Sequence, residues 1–423
     1  MTFLREYRWR LVVGLFFVAA LNYGDRTSVS AVFPLLRQDL KLSDVALGGL
    51  GTAFLWAYAL GSPFAGMVAD RWPRGRVLLV SLAAWSAVML LTGLAAEYWQ
   101  LVGTRMLLGV AECFYLPAAT AMLADYHATS TRATAMGIHS AGLSLGLICG
   151  GVVAGYLGDH YGWRPGFFVL GLSGLILAAL TSRLFLKPEV RAVAADLPVR
   201  TVPRPASQIP RDLRLLAGIP SFWIIAGKAM FSAIGIWIFL NWLPLYFRET
   251  FNMSLAGAGF SGTFTLQAAA IAGILLGGLV SDRLAIRDRR YRMLFQSLCY
   301  FVATPCVFPF LFTPGIYFIS ASVFCFSLFR SCGQSNENPL LCDVVPPPLR
   351  STAIGVSNLL NSLAGGLGVL LAGVFRSQMS LAGIFAASSV FMLCAAILPL
   401  VGYFLFLARD LERRDTILGT VTR

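Results

Sequence analysis

Apolar residues come in runs of about twenty along the whole chain, separated by short polar or charged stretches. The runs lie near 9–33, 45–68, 77–96, 99–124, 133–157, 164–186, 221–247, 256–280, 293–312, 315–341, 351–375 and 381–408. As a helix rising about 1.5 Å per residue, each is long enough to cross a hydrocarbon core roughly 30 Å thick. The pattern predicts an all-α membrane protein with twelve transmembrane helices.

A few charges interrupt these runs. Arg105 and Glu112 stand seven apart in the fourth run, so a helix carries them on one face, two turns from each other. Asp25 and Arg26 fall beyond the midpoint of the first run. A charged side chain at the bilayer centre costs about 2.5–3.5 kcal/mol to insert, so such residues face a wet interior and mark function. The first and fourth runs cross in opposite directions, which brings Glu112 to a depth comparable with Asp25 and Arg26. Two acids and two arginines are therefore expected to meet, and pairing offsets much of their desolvation.

Composition agrees with this class. The 423 residues are 57% hydrophobic and 13% charged, and the mean hydropathy of +0.73 lies well outside the soluble range. The net charge of +13 would suit a nucleic-acid partner if it were spread over one surface. Instead the arginines concentrate in alternate loops: Arg5, Arg8 and Arg10; Arg71, Arg74 and Arg76; the 187–217 connection; Arg283 to Arg292; and Arg409 to Arg414. The other loops carry few cations, Arg37, Lys41, Arg164, Arg248 and Arg376, partly matched by Asp39, Asp44, Asp159 and Glu249. The basic excess thus reads as topology, with both termini cytoplasmic and no nucleic acid. All eight cysteines sit in apolar runs or, for Cys342, at the edge of one, and read as fillers rather than disulfide partners. The three scattered histidines offer no metal spacing, and no phosphate-binding GxxxxGK[ST] loop is present. No metal, cofactor, enzyme activity or ATP-driven step is expected.

The chain also repeats itself. Gly66, Asp70 and Arg71 after the second run recur as Gly278, Asp282 and Arg283 after the eighth. Asp125, Arg132, Thr134, Ala135 and Gly137 recur as Asp343, Arg350, Thr352, Ala353 and Gly355. These echoes predict two duplicated six-helix bundles, residues 1–186 and 218–423, joined by a proline- and arginine-rich cytoplasmic linker at 187–217.

The stretch GMVADRWPRGR, Gly66 to Arg76, resembles the loop signature of the major facilitator superfamily. The resemblance implies two pseudo-symmetric six-helix bundles that work by alternating access. It also implies a cytoplasmic gate of Gly66, Asp70, Arg71, Arg74 and Arg132, with Asp70 near Arg132, matched in the second half by Asp282, Arg283 and Arg350. Three further stretches resemble the anion:cation symporter branch: NYGDR at Asn22 to Arg26, RMLLGVAECFYLP at Arg105 to Pro117, and FLNWLPLYF at Phe239 to Phe247. The spinster branch, which moves lysolipids, shares the first two. These resemblances imply a monomeric secondary active transporter in a bacterial inner membrane. It would carry out proton-coupled symport of a small organic anion, such as a sugar acid. A spinster-like carrier of lysolipids or lipid-like anions is the second reading, and a transport-fold sensor or receptor is the alternative from another class.

The resemblance gives proton coupling to Asp25 and Glu112 and substrate binding to Arg26, whose planar fork suits a carboxylate. Tyr23, Arg105, Asn241 and Asn358 are further candidates for substrate contact. In the tenth run Ser327, Arg330, Gln334 and Glu337 follow helical spacing, and the repeat register puts Arg330 at the counterpart of Glu112. Arg330 and Gln334 are expected at the substrate, with an internal Arg330–Glu337 pair as the competing reading. Lys228 reads as a snorkelling cation and His139 as a hydrogen-bonded helix contact. Gly142, Gly146 and Gly150, and Gly365, Gly366 and Gly373, read as helix-packing surfaces. The fifth run lacks the GP dipeptide of the superfamily's antiporters, which favours symport or uniport.

Overall fold

The computed structural model describes residues 6–186, 209–312, 315–346 and 349–412, and within them the ordered elements are helices, with no strand. Among the described residues, eleven helices, from Asp44–Ala69 to Leu381–Leu405, are long and apolar enough to cross a membrane. The first helix, Tyr7–Ala31, spans 25 residues. It is less apolar because Asn22, Asp25 and Arg26 lie within it, and it completes two six-helix halves.

Four spans expected as continuous helices are interrupted. The ninth changes from α-helix to a 3-10 helix at Thr304–Phe312, the twelfth divides into Leu381–Ala387 and Ser389–Leu405, and the fourth and tenth are broken at mid-length. The fourth consists of Tyr98–Glu112 and Tyr115–Tyr126, the tenth of Ile316–Gln334 and Glu337–Val344. Pro117 and Pro339 lie just past the breaks. Each lacks the N–H that would reach back four residues, to Cys113 and Ser335 respectively, so the helix cannot run through. The breaks leave Glu112 at the end of one helical piece and Glu337 at the start of another.

By contacts the chain forms two compact units, Met1–Pro203 with Leu240–Thr263, and Arg204–Phe239 with Phe264–Arg423. Of the expected linker, 187–208 lies outside the described residues and Ile209–Ala217 is a helix. In the first unit, the Asp159 carboxylate accepts from the Leu255 and Ala256 amides at 3.0 and 3.1 Å. This caps the positive N-terminal end of the helix Leu255–Arg287. Nearby, Arg37 bridges Asp44 and Glu249, the latter at 2.9 Å. Arg164 donates to Asp39 at 2.7 Å. Several acids of the arginine-poor loops therefore have the partners their positions suggested.

Backbone proximity sets the orientation of the first span. A Cβ on Gly146 would lie 2.1 Å from the Ala20 carbonyl oxygen, and one on Gly150 would lie 2.1 Å from that of Gly24. No side chain fits at Gly146 or Gly150, and the two helices also share a hydrogen bond from Thr27 Oγ1 to the Leu147 carbonyl at 3.0 Å. In the second unit, Phe239 stacks on Phe326 and Phe385 at 4.7 and 4.6 Å between ring centres. Asp410 accepts from the Ser221 amide at 2.9 Å and caps the seventh span.

The internal repeat reappears as matched contacts. Arg74 pairs with Asp125 and Arg292 with Asp343, while Arg132 donates to the Ala124 carbonyl and Arg350 to that of Cys342. Positions 74, 124, 125 and 132 map onto 292, 342, 343 and 350 at one constant displacement. Duplication has preserved an interaction pattern as well as a string of residue types.

Candidate functional site

The first unit holds a charged cluster between its first, second and fourth spans. Arg26 donates from Nε to Glu112 Oε2 at 3.0 Å and from Nη2 to Asn22 Oδ1 at 3.2 Å. Its guanidinium lies 4.2 Å from the centre of the Tyr23 ring, 4.8 Å from Tyr58 and 5.2 Å from Phe54. The Arg26 side chain is 6% accessible and Glu112 fully buried, so this ion pair sits on an aromatic floor away from bulk solvent. A guanidinium stacked on rings and held in one plane presents its remaining N–H groups in a fixed direction.

Asp25 and Arg105 complete the cluster by charge rather than by contact. Asp25 is fully buried, and neither of its oxygens accepts a hydrogen bond from a protein group. It stands in the field of Glu112, Arg105 and Arg26. Arg105, 1% exposed, donates weakly to Met89 Sδ at 3.6 Å and lies 5.6 Å from the Phe167 ring. One Glu112 oxygen also lacks a donor. The four residues expected to meet are gathered here, with Tyr23 beside them.

Sequence reasoning missed Phe54 and Tyr58. They are four residues apart on the second span and so share a helix face. An aromatic pair in an apolar span gives no sign that it faces a charge rather than lipid.

The second unit has its own cluster. Lys228 is not a snorkelling cation. It is fully buried, because its ammonium donates to Glu337 Oε2 at 3.2 Å and lies 4.6 Å from the centre of the Tyr300 ring. Arg330 does not pair with Glu337 either; it donates to Gln334 Oε1 at 2.9 Å and Ser331 Oγ at 3.1 Å. Gln334 is thus beside Arg330, as the helical spacing required. Asn241 is buried on the seventh span in the first unit, and Asn358 is exposed on the eleventh in the second. His139 Nε2 lies 2.8 Å from the Tyr115 hydroxyl, a buried contact between the fourth and fifth spans.

Of the expected gate residues, Asp70's side chain lies outside the described residues. Arg132 is engaged by the carbonyls of Ala124 and His127, at 3.1 and 3.3 Å. The acid at the end of the fourth span that forms an ion pair is Asp125, and its partner is Arg74. Arg292 links Asp282 at 2.8 Å to Asp343 at 3.8 Å. Gly66 has open space where a Cβ would stand, and Arg71 and Arg283 are exposed.

Buried ionisable groups at mid-depth of helices that cross a membrane, in a duplicated helical chain, define a multi-pass membrane transporter. The profile of the Major Facilitator Superfamily matches residues 15–369 and 268–419. The chain belongs to that superfamily.

Among its relatives, the probable galactarate/D-glucarate transporter GarP of Escherichia coli (strain K12) is 26% identical over 437 residues, covering 96% of each chain. An MFS-type efflux pump of Mycolicibacterium smegmatis (strain ATCC 700084 / mc(2)155) is 28% identical over 417 residues, 97% of this chain and 94% of that one. The solved structure of a bacterial homolog to the human lysosomal transporter Spinster, inward-facing and unoccupied, aligns with a TM-score of 0.78. It covers 97% of this chain and 98% of its own at 22% identity, a likeness of fold.

Proposed function

We propose that the chain carries a small organic anion of the sugar-acid class together with protons, by alternating access. The observation that carries this reading is the Arg26–Glu112 pair, a buried cation whose counter-ion is itself titratable. Protonating Glu112 releases Arg26 for a substrate carboxylate, because a neutral acid no longer balances the guanidinium. Loss of the substrate returns Glu112 to Arg26 and expels the proton. Asp25 can hold a proton without giving up any protein hydrogen bond. Tyr23, with Tyr58 and Phe54, keeps the guanidinium in plane through the exchange. A pH gradient and a membrane potential drive the cycle, the latter supplying about 2.3 kcal/mol per charge per 100 mV. The names of relatives such as GarP, a probable galactarate/D-glucarate transporter, support the substrate class.

In the same reading, the arginine-rich loops and both termini face the cytoplasm. Arg74, Arg132, Arg350 and Asp282 belong to the gate at that face, with Gly66, Asp70, Arg71 and Arg283. The test is uptake by the purified chain in liposomes. Labelled galactarate should accumulate when the lumen is alkaline, and a protonophore should abolish accumulation. If no sugar acid accumulates while a labelled lysolipid crosses, the organic-anion reading fails.

A further inference from the structure

The first unit takes in a piece of chain from far along the sequence. Leu240–Thr263, the end of the seventh span and the start of the eighth, groups with Met1–Pro203, although both helices continue as parts of the second unit. This hairpin is held at its tip, beside the arginine-poor loops. Arg37 donates to Glu249 at 2.9 Å and also pairs with Asp44. Asp159, at the end of the fifth span, accepts from the Leu255 and Ala256 amides. A Cβ on Gly155 would stand 2.6 Å from the Leu255 carbonyl oxygen, and one on Gly259 would stand 2.7 Å from that of Gly151. Deeper in the same seam, the fully buried Phe33 and Trp242 rings lie 5.5 Å apart.

Backbones this close leave no passage between the fifth and eighth spans at this face. The contacts that hold the rim are nevertheless of a kind that opens readily. The Arg37 and Glu249 side chains are 34% and 32% accessible, and ion pairs so exposed add little net stability. The Leu255 and Ala256 amides lie in the first turn of a helix, where water can take the place of the carboxylate. Glycine contacts let helices part without withdrawing interlocked side chains. The two polar contacts are also joined through a stiff turn. Arg248 donates to the Met253 carbonyl across it, and Asn252 within it holds a positive φ of 51°. Loosening the Glu249 end therefore loosens the capped end.

We infer that the Leu240–Thr263 hairpin is a latch. The Arg37–Glu249 pair and the Asp159 cap hold it against the first, second and fifth spans, and both contacts break together in each transport cycle to admit solute at the arginine-poor face. The inference rests on the alternating-access reading and deepens it by naming the contacts that part at one face.

Hydrogen exchange on the purified full chain reads the latch without any substrate. Arg37→Gln should speed exchange of the Leu255 and Ala256 amides about three- to fivefold, the effect of losing one exposed ion pair, while the helix Arg74–Gly93 keeps its wild-type protection. Unchanged exchange at those two amides would overturn the latch. Transport tests whether the contact must open. In liposomes, Arg37→Cys with Glu249→Cys, joined by a bifunctional methanethiosulfonate, should lose labelled galactarate uptake at least about tenfold and regain it on reduction. Asp159→Cys with Ala256→Cys repeats the test at the cap, and reagent-treated wild type controls for the native cysteines. Linking Asp39→Cys with Arg164→Cys, an ion pair at the same face outside the hairpin, should leave uptake unchanged. Transport at the unlinked rate in the linked hairpin variants, or an equal loss in the Asp39 and Arg164 control, would overturn the assignment. If wild type takes up no galactarate, the organic-anion reading fails and hydrogen exchange still decides the latch.

Discussion

Replacing Arg26 with methionine removes the 3.0 Å bond to Glu112 and the 3.2 Å bond to Asn22. It leaves Glu112 fully buried, with one oxygen that already lacked a donor. Breaking a buried ion pair from one side costs about 3–5 kcal/mol, because the surviving charge keeps its desolvation and loses its compensation. The guanidinium over Tyr23 and Tyr58, at 4.2 and 4.8 Å, contributes about 1–2 kcal/mol more in a dry site. Arg26→Met should therefore destabilise the chain by about 4–7 kcal/mol. Glu112→Gln alone should cost less, since an arginine on an aromatic floor next to Asn22 retains part of its compensation. The double variant removes both charges, and neutral replacement of a buried pair is often near neutral. Its cost should fall short of the sum of the singles by about 2–3 kcal/mol. Equilibrium unfolding of the four purified proteins in one detergent closes the cycle. Additivity within about 0.5 kcal/mol would refute the argument that the two residues act as one unit.

Local geometry gives two more expected outcomes. Gly150→Ala places a Cβ 2.1 Å from the Gly24 carbonyl oxygen, whereas Gly66→Ala meets open space. The first should lose about 1–3 kcal/mol by overpacking and the second stay within about 0.5 kcal/mol, read as thermal unfolding of the purified variants; equal losses would contradict the helix contact. At the membrane surface, Asp39 accepts from Trp163 Nε1 at 2.8 Å and from Arg164 at 2.7 Å, and these donors hold its carboxyl below the ordinary aspartate range. A lowered folded pKa gives stability that is present above the ordinary value and lost as pH falls through the folded one. Asp39→Asn should therefore melt below the wild type at neutral pH, and the gap should close in acid below about pH 4. A gap unchanged across that window would remove the linkage.

Charges in apolar runs are legible because each is expensive there, which is how Asp25, Arg26, Arg105 and Glu112 stand out from the sequence. The repeat is legible for a different reason: Asp125 with Arg132 and Asp343 with Arg350 lie close along the chain. The pairs Arg74–Asp125 and Arg292–Asp343 show the same duplication in space. Lys228 with Glu337 was not legible, since the two lie on different spans and only packing decides whether a lysine near a helix end snorkels or turns inward. The aromatic floor was hidden because Phe54 and Tyr58 look the same in sequence whether they face lipid or a guanidinium. The helix breaks had a signal in Pro117 and Pro339. Long apolar runs masked it, because a membrane span tolerates proline when other groups satisfy the freed carbonyl.

The central claim is that Glu112 couples proton movement to substrate movement through Arg26. Glu112→Gln keeps a hydrogen-bonding side chain of the same length and removes the titratable group. In liposomes, this variant should still exchange labelled for unlabelled galactarate across the membrane and should fail to accumulate it against a gradient when the lumen is made alkaline. Proton-driven accumulation at the wild-type level in Glu112→Gln would contradict the account.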